Sequence, residues 1–503
     1  MSSVSLRALL DEGLGQRVIG EAQVCVTGVQ HDSRKVAPGD LFVAMGGRVF
    51  DGADYTRDAI ARGAVAVAAQ QELELTVPLL IVNDAERALS ALAARVYGNA
   101  THAFPVIGIT GTNGKTTVAY LVEQMLMGLQ CKPAVIGTIE VRGPGGTRPA
   151  THTTPMADEV MRIAAWARDT GATHLVMEVS SHGLAMNRVE DVKFAVAAFT
   201  NLSQDHLDFH STLEEYAAAK DRLFCELHPG VSVVNVDDAH GRKLASQAQG
   251  HVVRFSAVGD LQAEVHVLTS ACNRDGIEAR VQTPSGIVEL RSPLLGAHNL
   301  SNLCCAIGIG LGLGLDSQAL ARALSHAPGA PGRLQRVGQD AGALVFVDYA
   351  HTPDALANVC AALRPLTDGR LLVVFGCGGD RDRSKRTLMG SVVASFADVA
   401  IVTSDNPRKE DPEAILRDIA PGVSALGAGV LDAEAVVAGQ SGYHMQVDRK
   451  RAIELAISAA RPQDTVLIAG KGHEAYQIVG TERRPFDDVS VAAHAMKLKA
   501  GVR

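Results

Sequence analysis

At 503 residues the chain is too long for one hydrophobic core, and about 150 residues per domain predicts three domains. A formal net charge of −8 and an aromatic content of 4% exclude a basic, base-stacking nucleic-acid binder. The longest apolar run, Cys304 to Leu315, is broken by glycines and too short to cross a membrane, so no membrane partner is expected.

The eight cysteines form no C-x-x-C pair, which reads as reduced, mostly buried thiols in a cytoplasmic protein. The start, Met1 to Arg7, lacks the apolar stretch of a signal peptide.

Residues 1–95 form a first unit. It carries His31-Asp32-Ser33-Arg34 and, further on, Gly46-Gly47-Arg48-Val49-Phe50. A loop bearing Ser33, Arg34 and Arg48 suits an anionic ligand such as a diphosphate; a solvated surface turn fits the same residue types.

Residues 96–328 alternate strands and helices, as a mostly parallel α/β sheet requires. The strand Val106 to Ile109 runs into Thr110-Gly111-Thr112-Asn113-Gly114-Lys115-Thr116-Thr117 and then an amphipathic helix. A glycine-rich turn ending in Gly-Lys-Thr between strand and helix is the context of a phosphate-binding loop. The strict spacing wants a glycine where Ile109 stands; Gly108 falls one residue early and Gly111 two late. The physics tolerates the shift, because backbone N–H groups at a helix start still surround phosphate oxygens. Lys115 then reaches the outer phosphates of ATP, and the Thr116 hydroxyl coordinates Mg²⁺.

Glu178 ends the strand from His174, where either a Mg²⁺ ligand or a turn acid belongs. Asp205, His206, Asp208 and His210 cluster after the strand Phe194 to Thr200 and suggest a second cation site or substrate contacts. Lys220, alone on an Ala-rich helical face, reads as solvated. Residues 262–290 read as a small antiparallel appendage. Asn299 either reads an adenine edge or caps the helix it opens.

Pro328-Gly329-Ala330-Pro331-Gly332 marks a linker into residues 329–503, a second α/β unit with Arg333 at its start. Its strands end in Asp348-Tyr349-Ala350-His351, in Gly376 to Arg381, in Asp405-Asn406-Pro407-Arg408 and in Gly470-Lys471-Gly472-His473-Glu474. The second glycine-rich turn lacks Lys-Thr, so a second ATP site is not expected. Arg381, Arg408 and Glu474 thus share the carboxyl end of one sheet, where open α/β sheets bind ligands. Two guanidiniums and a carboxylate suit a zwitterionic amino acid.

Gly111 to Thr117, Glu178 to Gly183, Asn201 to Asp208, Asp348 to Pro353 and Gly470 to Glu474 together resemble the Mur ligase family, in order and across nearly the whole chain. The resemblance implies a three-domain α/β fold, with a central P-loop ATPase-like parallel sheet and a Rossmann-like C-terminal domain. It implies a monomer of the cytoplasm that joins meso-diaminopimelate to a UDP-N-acetylmuramoyl-dipeptide, through an acyl phosphate made from ATP. By matching position, His31, Ser33, Arg48, Val49 and Phe50 would touch the uridine nucleotide. Thr153, Thr154, Ser180 and Arg188 would hold the muramoyl-dipeptide. Arg381, Asp405, Asn406, Pro407, Arg408, Gly470 and Glu474 would hold diaminopimelate. Gly111 to Thr117, with Asn299, Arg333 and Asp348, would bind ATP; Thr116, Glu178, His206 and Lys220 would hold metal, Lys220 as a carbamate. His152 stands where an Asn can occur and Met186 where a Gln can occur. Rival readings are another amide ligase of the superfamily, lysine-adding or folylpolyglutamate synthase-like, and a P-loop ATPase without ligase chemistry.

Overall fold

The structure, a computed structural model, describes residues 3–46, 51–205, 209–338, 342–424 and 429–501. Contacts gather the chain into two compact units. One comprises Met1–Thr269, Arg280–Leu290 and Ser301–Ser325; the other comprises Ser270–Ala279, Arg291–Leu300 and His326–Arg503.

The first unit opens with a five-stranded sheet in the order Arg17–Ile19, Leu79–Ile81, Ala66–Ala69, Asp40–Val43, Gly28–Gln30. Only the first pair is antiparallel. Of these strands of three or four residues, Ala66–Ala69 and Leu79–Ile81 are wholly apolar and buried, as strands covered on both faces must be.

The phosphate-loop strand Val106–Thr110 lies in a larger sheet, between His174–Glu178 and Phe194–Phe199, both parallel to it. Pro133–Ile136 continues the parallel order on one side; Val231–Asn235 and His251–Ser256 continue it on the other. All five residues of Val106–Thr110 are buried. Parallel pairing puts the loop after Thr110 and the carboxylate of Glu178 at the same end of the sheet. The expected appendage is instead a continuation of this sheet: Val265–Asn273, Gly276–Thr283 and Gly286–Ser292 are its last three strands, the first parallel to His251–Ser256.

In the second unit the parallel strands Leu344–Asp348, Thr465–Ala469, Leu371–Phe375, Val399–Thr403 and Gly442–Gln446 lie side by side in that order. Alternate residues leave on opposite faces. Phe346, Val373, Phe375, Val402 and Leu467 enter one core, and Val345, Val347, Leu372, Val374, Ile401 and Ile468 enter the other. The four strands other than the edge strand Gly442–Gln446 are buried throughout, and the carboxyl ends of the sheet carry the Asp405, Gly376 and Gly470 turns. The cysteines depart from expectation: four are buried, but Cys25 and Cys272 are exposed and Cys131 and Cys225 half-exposed.

Candidate functional site

In the first unit the helix Lys115–Gly128 starts directly after the glycine turn. Gly111 has φ 144°, and a Cβ there would stand 1.9 Å from Thr200 Oγ1, so the close approach of the two strand ends requires glycine. The backbone N–H groups of Thr112 and Asn113 donate to the carbonyl and the side chain of Asn201, at 2.8 and 2.9 Å. The phosphate cradle therefore falls to the helix's first turn, whose N–H groups have no intrahelical acceptor, rather than to the whole loop. Thr117 is buried in that first turn. Gly114 is the left-handed N-cap, packed against Asn302, a neighbour from a later helix that the motif alone does not reveal.

Lys115 Nζ donates to the carbonyls of Gly111 and Thr112 at 2.8 and 2.9 Å, which folds its ammonium back over the loop. Thr116 Oγ1 donates to Glu178 Oε2 at 2.8 Å. Thr138, absent from the expected set, donates its backbone N–H and its hydroxyl to the same carboxylate, at 2.8 and 2.9 Å. Glu178 is 1% exposed, and its carboxylate serves the Thr138 backbone N–H as well as the two hydroxyls.

Lys220 is the clearest departure from the composition reading. It is 1% exposed on the helix Leu213–Cys225, with Nζ donating to the Gly111 carbonyl at 3.2 Å and lying over the Tyr216 ring. Burial, then the nearby Lys115 ammonium, push its amine well below the usual lysine range. His206 lies outside the described residues, and His210 is buried against the Tyr216 and His182 rings.

One chain of bonds runs from Glu178 toward the proposed dipeptide contacts. The Thr138 and Thr153 hydroxyls lie 3.0 Å apart. Thr154 Oγ1 donates to the Glu178 carbonyl at 2.9 Å and accepts from the Ser180 N–H at 2.9 Å. Arg188 donates to the Thr154 carbonyl at 2.9 Å and to Met186 Sδ at 3.2 Å. Met186 thus accepts from that guanidinium through its sulfur. His152 is pushed below the usual histidine range by burial and by Arg188.

His31 Nδ1 sits 2.8 and 2.9 Å from the two oxygens of Asp158, a buried carboxylate that the sequence reading omits. Ser33 is buried, whereas Arg34 is exposed and forked onto Asp32. Arg48, Val49 and Phe50 lie outside the described residues.

The second unit brings its predicted residues together at one end of its sheet. Asn406 Nδ2 donates to Glu474 Oε2 at 3.0 Å, and Asn406 Oδ1 accepts from the Ile478 N–H at 2.9 Å. Gly470 has φ 123°, and a Cβ there would meet Asp405 Oδ2 at 2.8 Å. Arg408 has φ 51°, a conformation uncommon outside glycine. Its N–H donates to Ile478, its carbonyl accepts from Gly480, and Nη1 donates to the Gly379 carbonyl at 2.8 Å. The Arg408 guanidinium and the Arg381 side chain flank Gly378, from opposite loops. Behind them Glu410 accepts from the Asp380 N–H and from Arg386, and these donors hold its carboxyl down to about 2.

Asp348 is buried; its carboxylate accepts from the N–H groups of Leu334 and Ala350 at 2.6 and 2.7 Å, and burial raises its carboxyl. Arg333 lies 4.7 Å over the Tyr349 ring, with His473 on the same ring. Burial and Arg333 depress His473 to about 4. Asn299 is buried and donates to the Leu295 carbonyl at 2.9 Å.

The buried Thr116 hydroxyl and Glu178 carboxylate are hard oxygen donors and fit a Mg²⁺ ion that also takes phosphate and water oxygens. Among the described residues no cluster of three or more His, Cys, Asp or Glu could hold a metal by itself. Nor is any described helix long and apolar enough to cross a membrane.

Three sequence patterns of known families match the chain: "Mur ligase family, catalytic domain" over residues 25–103, "Mur ligase middle domain" over 109–310, and "Mur ligase, glutamate ligase domain" over 332–472. The UDP-N-acetylmuramoyl-L-alanyl-D-glutamate–2,6-diaminopimelate ligase of Synechococcus elongatus is 45% identical over 484 residues, 94% of each chain. A solved structure of a ligase of the same name superposes with a TM-score of 0.73 at 33% identity, covering 99% of this chain and 100% of that one. The MurF ligase of Thermotoga maritima in complex with ADP shares the fold at 17% identity, with a TM-score of 0.62 over 95% of this chain and 98% of its own. A glycine-rich strand–helix turn beside a buried carboxylate accords with these matches along the chain, which place it in the Mur ligase family.

Proposed function

We propose that this chain joins meso-diaminopimelate to UDP-N-acetylmuramoyl-L-alanyl-D-glutamate at the expense of ATP, a ligation of peptidoglycan synthesis carried out in the cytoplasm by a monomer. Residues 1–95 take the uridine end, 96–328 bind ATP and 329–503 take the amino acid. The γ-phosphoryl group passes to the D-glutamate carboxylate, the diaminopimelate amine attacks the acyl phosphate, and phosphate leaves. Lys115 and the helix start at Gly114 neutralise charge on the transferred phosphoryl group. Thr116 and Glu178 would hold Mg²⁺, which supplies further charge neutralisation when bound. The lowered amine of Lys220 supports a carbamate: a neutral amine adds CO₂ and releases one proton, leaving an anionic group.

The observation that carries the choice of amino acid is the bonded set Asn406, Glu474 and the strained Arg408 turn at one sheet end. Glu474 offers a carboxylate to an ammonium, and Arg408 offers a guanidinium to the second carboxylate that distinguishes diaminopimelate from lysine. Phosphate release and product mass, measured with diaminopimelate, with lysine and without acceptor, test the reading. Diaminopimelate-dependent release with a product heavier by one diaminopimelate residue is expected. Equal release without acceptor would leave a bare ATPase, and preference for lysine would reassign the site.

A further inference from the structure

Lys471 has no part in the reaction as set out above, yet it is a fully enclosed charge at the amino-acid site. Its side chain is 0% exposed, held between Gly470 and Gly472, both of positive φ. Nζ lies 3.1 Å from Glu474 Oε2, 3.2 Å from Asn406 Oδ1 and 3.7 Å from Asp405 Oδ1, with the Tyr476 ring centred 5.4 Å away. Asn406 in turn donates to the same Glu474 oxygen. Lys471, Asn406 and Glu474 thus close a ring of three hydrogen bonds.

The ring has two consequences. Both donors fall on one oxygen of Glu474, which fixes the rotamer and plane of that carboxylate before any amino acid arrives. The Lys471 ammonium also lies beside two carboxylates, Asp405 and Glu474, while the nearby buried Arg449 is matched by Asp488, so a negative charge is left over for an incoming ammonium. Without Lys471 the two carboxylates would keep only the more distant influence of the buried Arg449, which is itself paired with Asp488 at 2.7 Å.

We infer that Lys471 is a positioning residue for the amino-acid acceptor: its ammonium holds Glu474 and Asn406 in the geometry that receives the ammonium of the diamino acid. The inference rests on the reading that this site takes diaminopimelate. It is tested on the full-length chain with Lys471→Met and Lys471→Gln, each substrate varied in turn while phosphate release is followed. Loss of a charged hydrogen bond predicts a KM for diaminopimelate raised about tenfold or more, with the KM values for ATP and the UDP-dipeptide changed less than about twofold. An equal rise in all three KM values, an unchanged diaminopimelate KM in a folded variant, or failure of both variants to fold would each overturn it, the last by making the ammonium a requirement of the fold. If the parent chain itself releases no phosphate with diaminopimelate, the functional reading fails first and takes the inference with it. A parent that responds to diaminopimelate, beside folded variants that keep the parent's diaminopimelate KM, sinks the inference alone.

Discussion

The chain buries two lysines almost completely, and their surroundings are opposite. Lys220 meets a carbonyl, an aromatic face and the ammonium of Lys115, so burial and like charge work against its proton and outweigh the charge of Asp205. Lys471 meets two carboxylates and an amide oxygen at ion-pair or hydrogen-bond distance. Equal burial therefore says little about what a lysine does; the neighbours decide. The first pocket lowers its amine below the usual lysine range, and the second pairs an ammonium with carboxylates.

Four substitutions can break or sharpen that contrast. The largest effect is expected in the first pocket, where Lys115→Ala should lower phosphate release on the order of a thousandfold, because it removes charge aimed at the transferred group. A loss under about tenfold would mean that the helix start alone supplies the stabilisation. In the second pocket, Arg408→Ala should reduce kcat/KM for diaminopimelate roughly ten- to a hundredfold, while the residual rate with lysine stays put. Equal loss with both amines would show that Arg408 shapes the loop rather than reading a carboxylate.

Smaller effects separate fixed groups from titrating ones. Asp158→Asn should raise the KM for the UDP-dipeptide a few-fold, about the worth of one hydrogen bond, by releasing His31. No change in that KM would detach His31 from the nucleotide. The smallest effect is one of stability. Lys220 has a folded-state pKa below its unfolded value, so the unfolded chain binds more protons and stability falls as pH drops from the usual lysine range toward the lowered value. In CO₂-free buffer, Lys220→Met should unfold at a higher temperature than the parent at pH 7, and the gap should close toward pH 10. A gap independent of pH would show that packing, not the proton, sets the difference.

What was legible in the sequence follows from how local each feature is. The phosphate loop could be read because strand, glycines and Lys115 are contiguous, and Arg381, Arg408 and Glu474 could be placed because parallel apolar strands put their carboxyl ends together. Lys220 could not, since its burial comes from Gly111 and Tyr216, and the former lies 109 positions away. Lys471 was passed over for a like reason: flanked by glycines it looks solvated, and its partner Asn406 is 65 positions distant. Asp158, Thr138 and Asn302 belong to the same class, polar side chains whose partners arrive from other elements. The short strands of the first sheet, three or four residues each, carry too little periodicity to be seen.

The left-handed backbone of Arg408 is clamped on both sides by the small hairpin of Tyr476–Val479 and Glu482–Pro485. Holding a bulky residue there costs about 1–3 kcal/mol, which the clamp must offset. Redesigning this ligase to accept a different side chain is thus a two-piece problem. Swapping the arginine alone leaves the hairpin still enforcing a bend that the newcomer has no use for, and grafting selectivity from a relative would require transplanting both segments together.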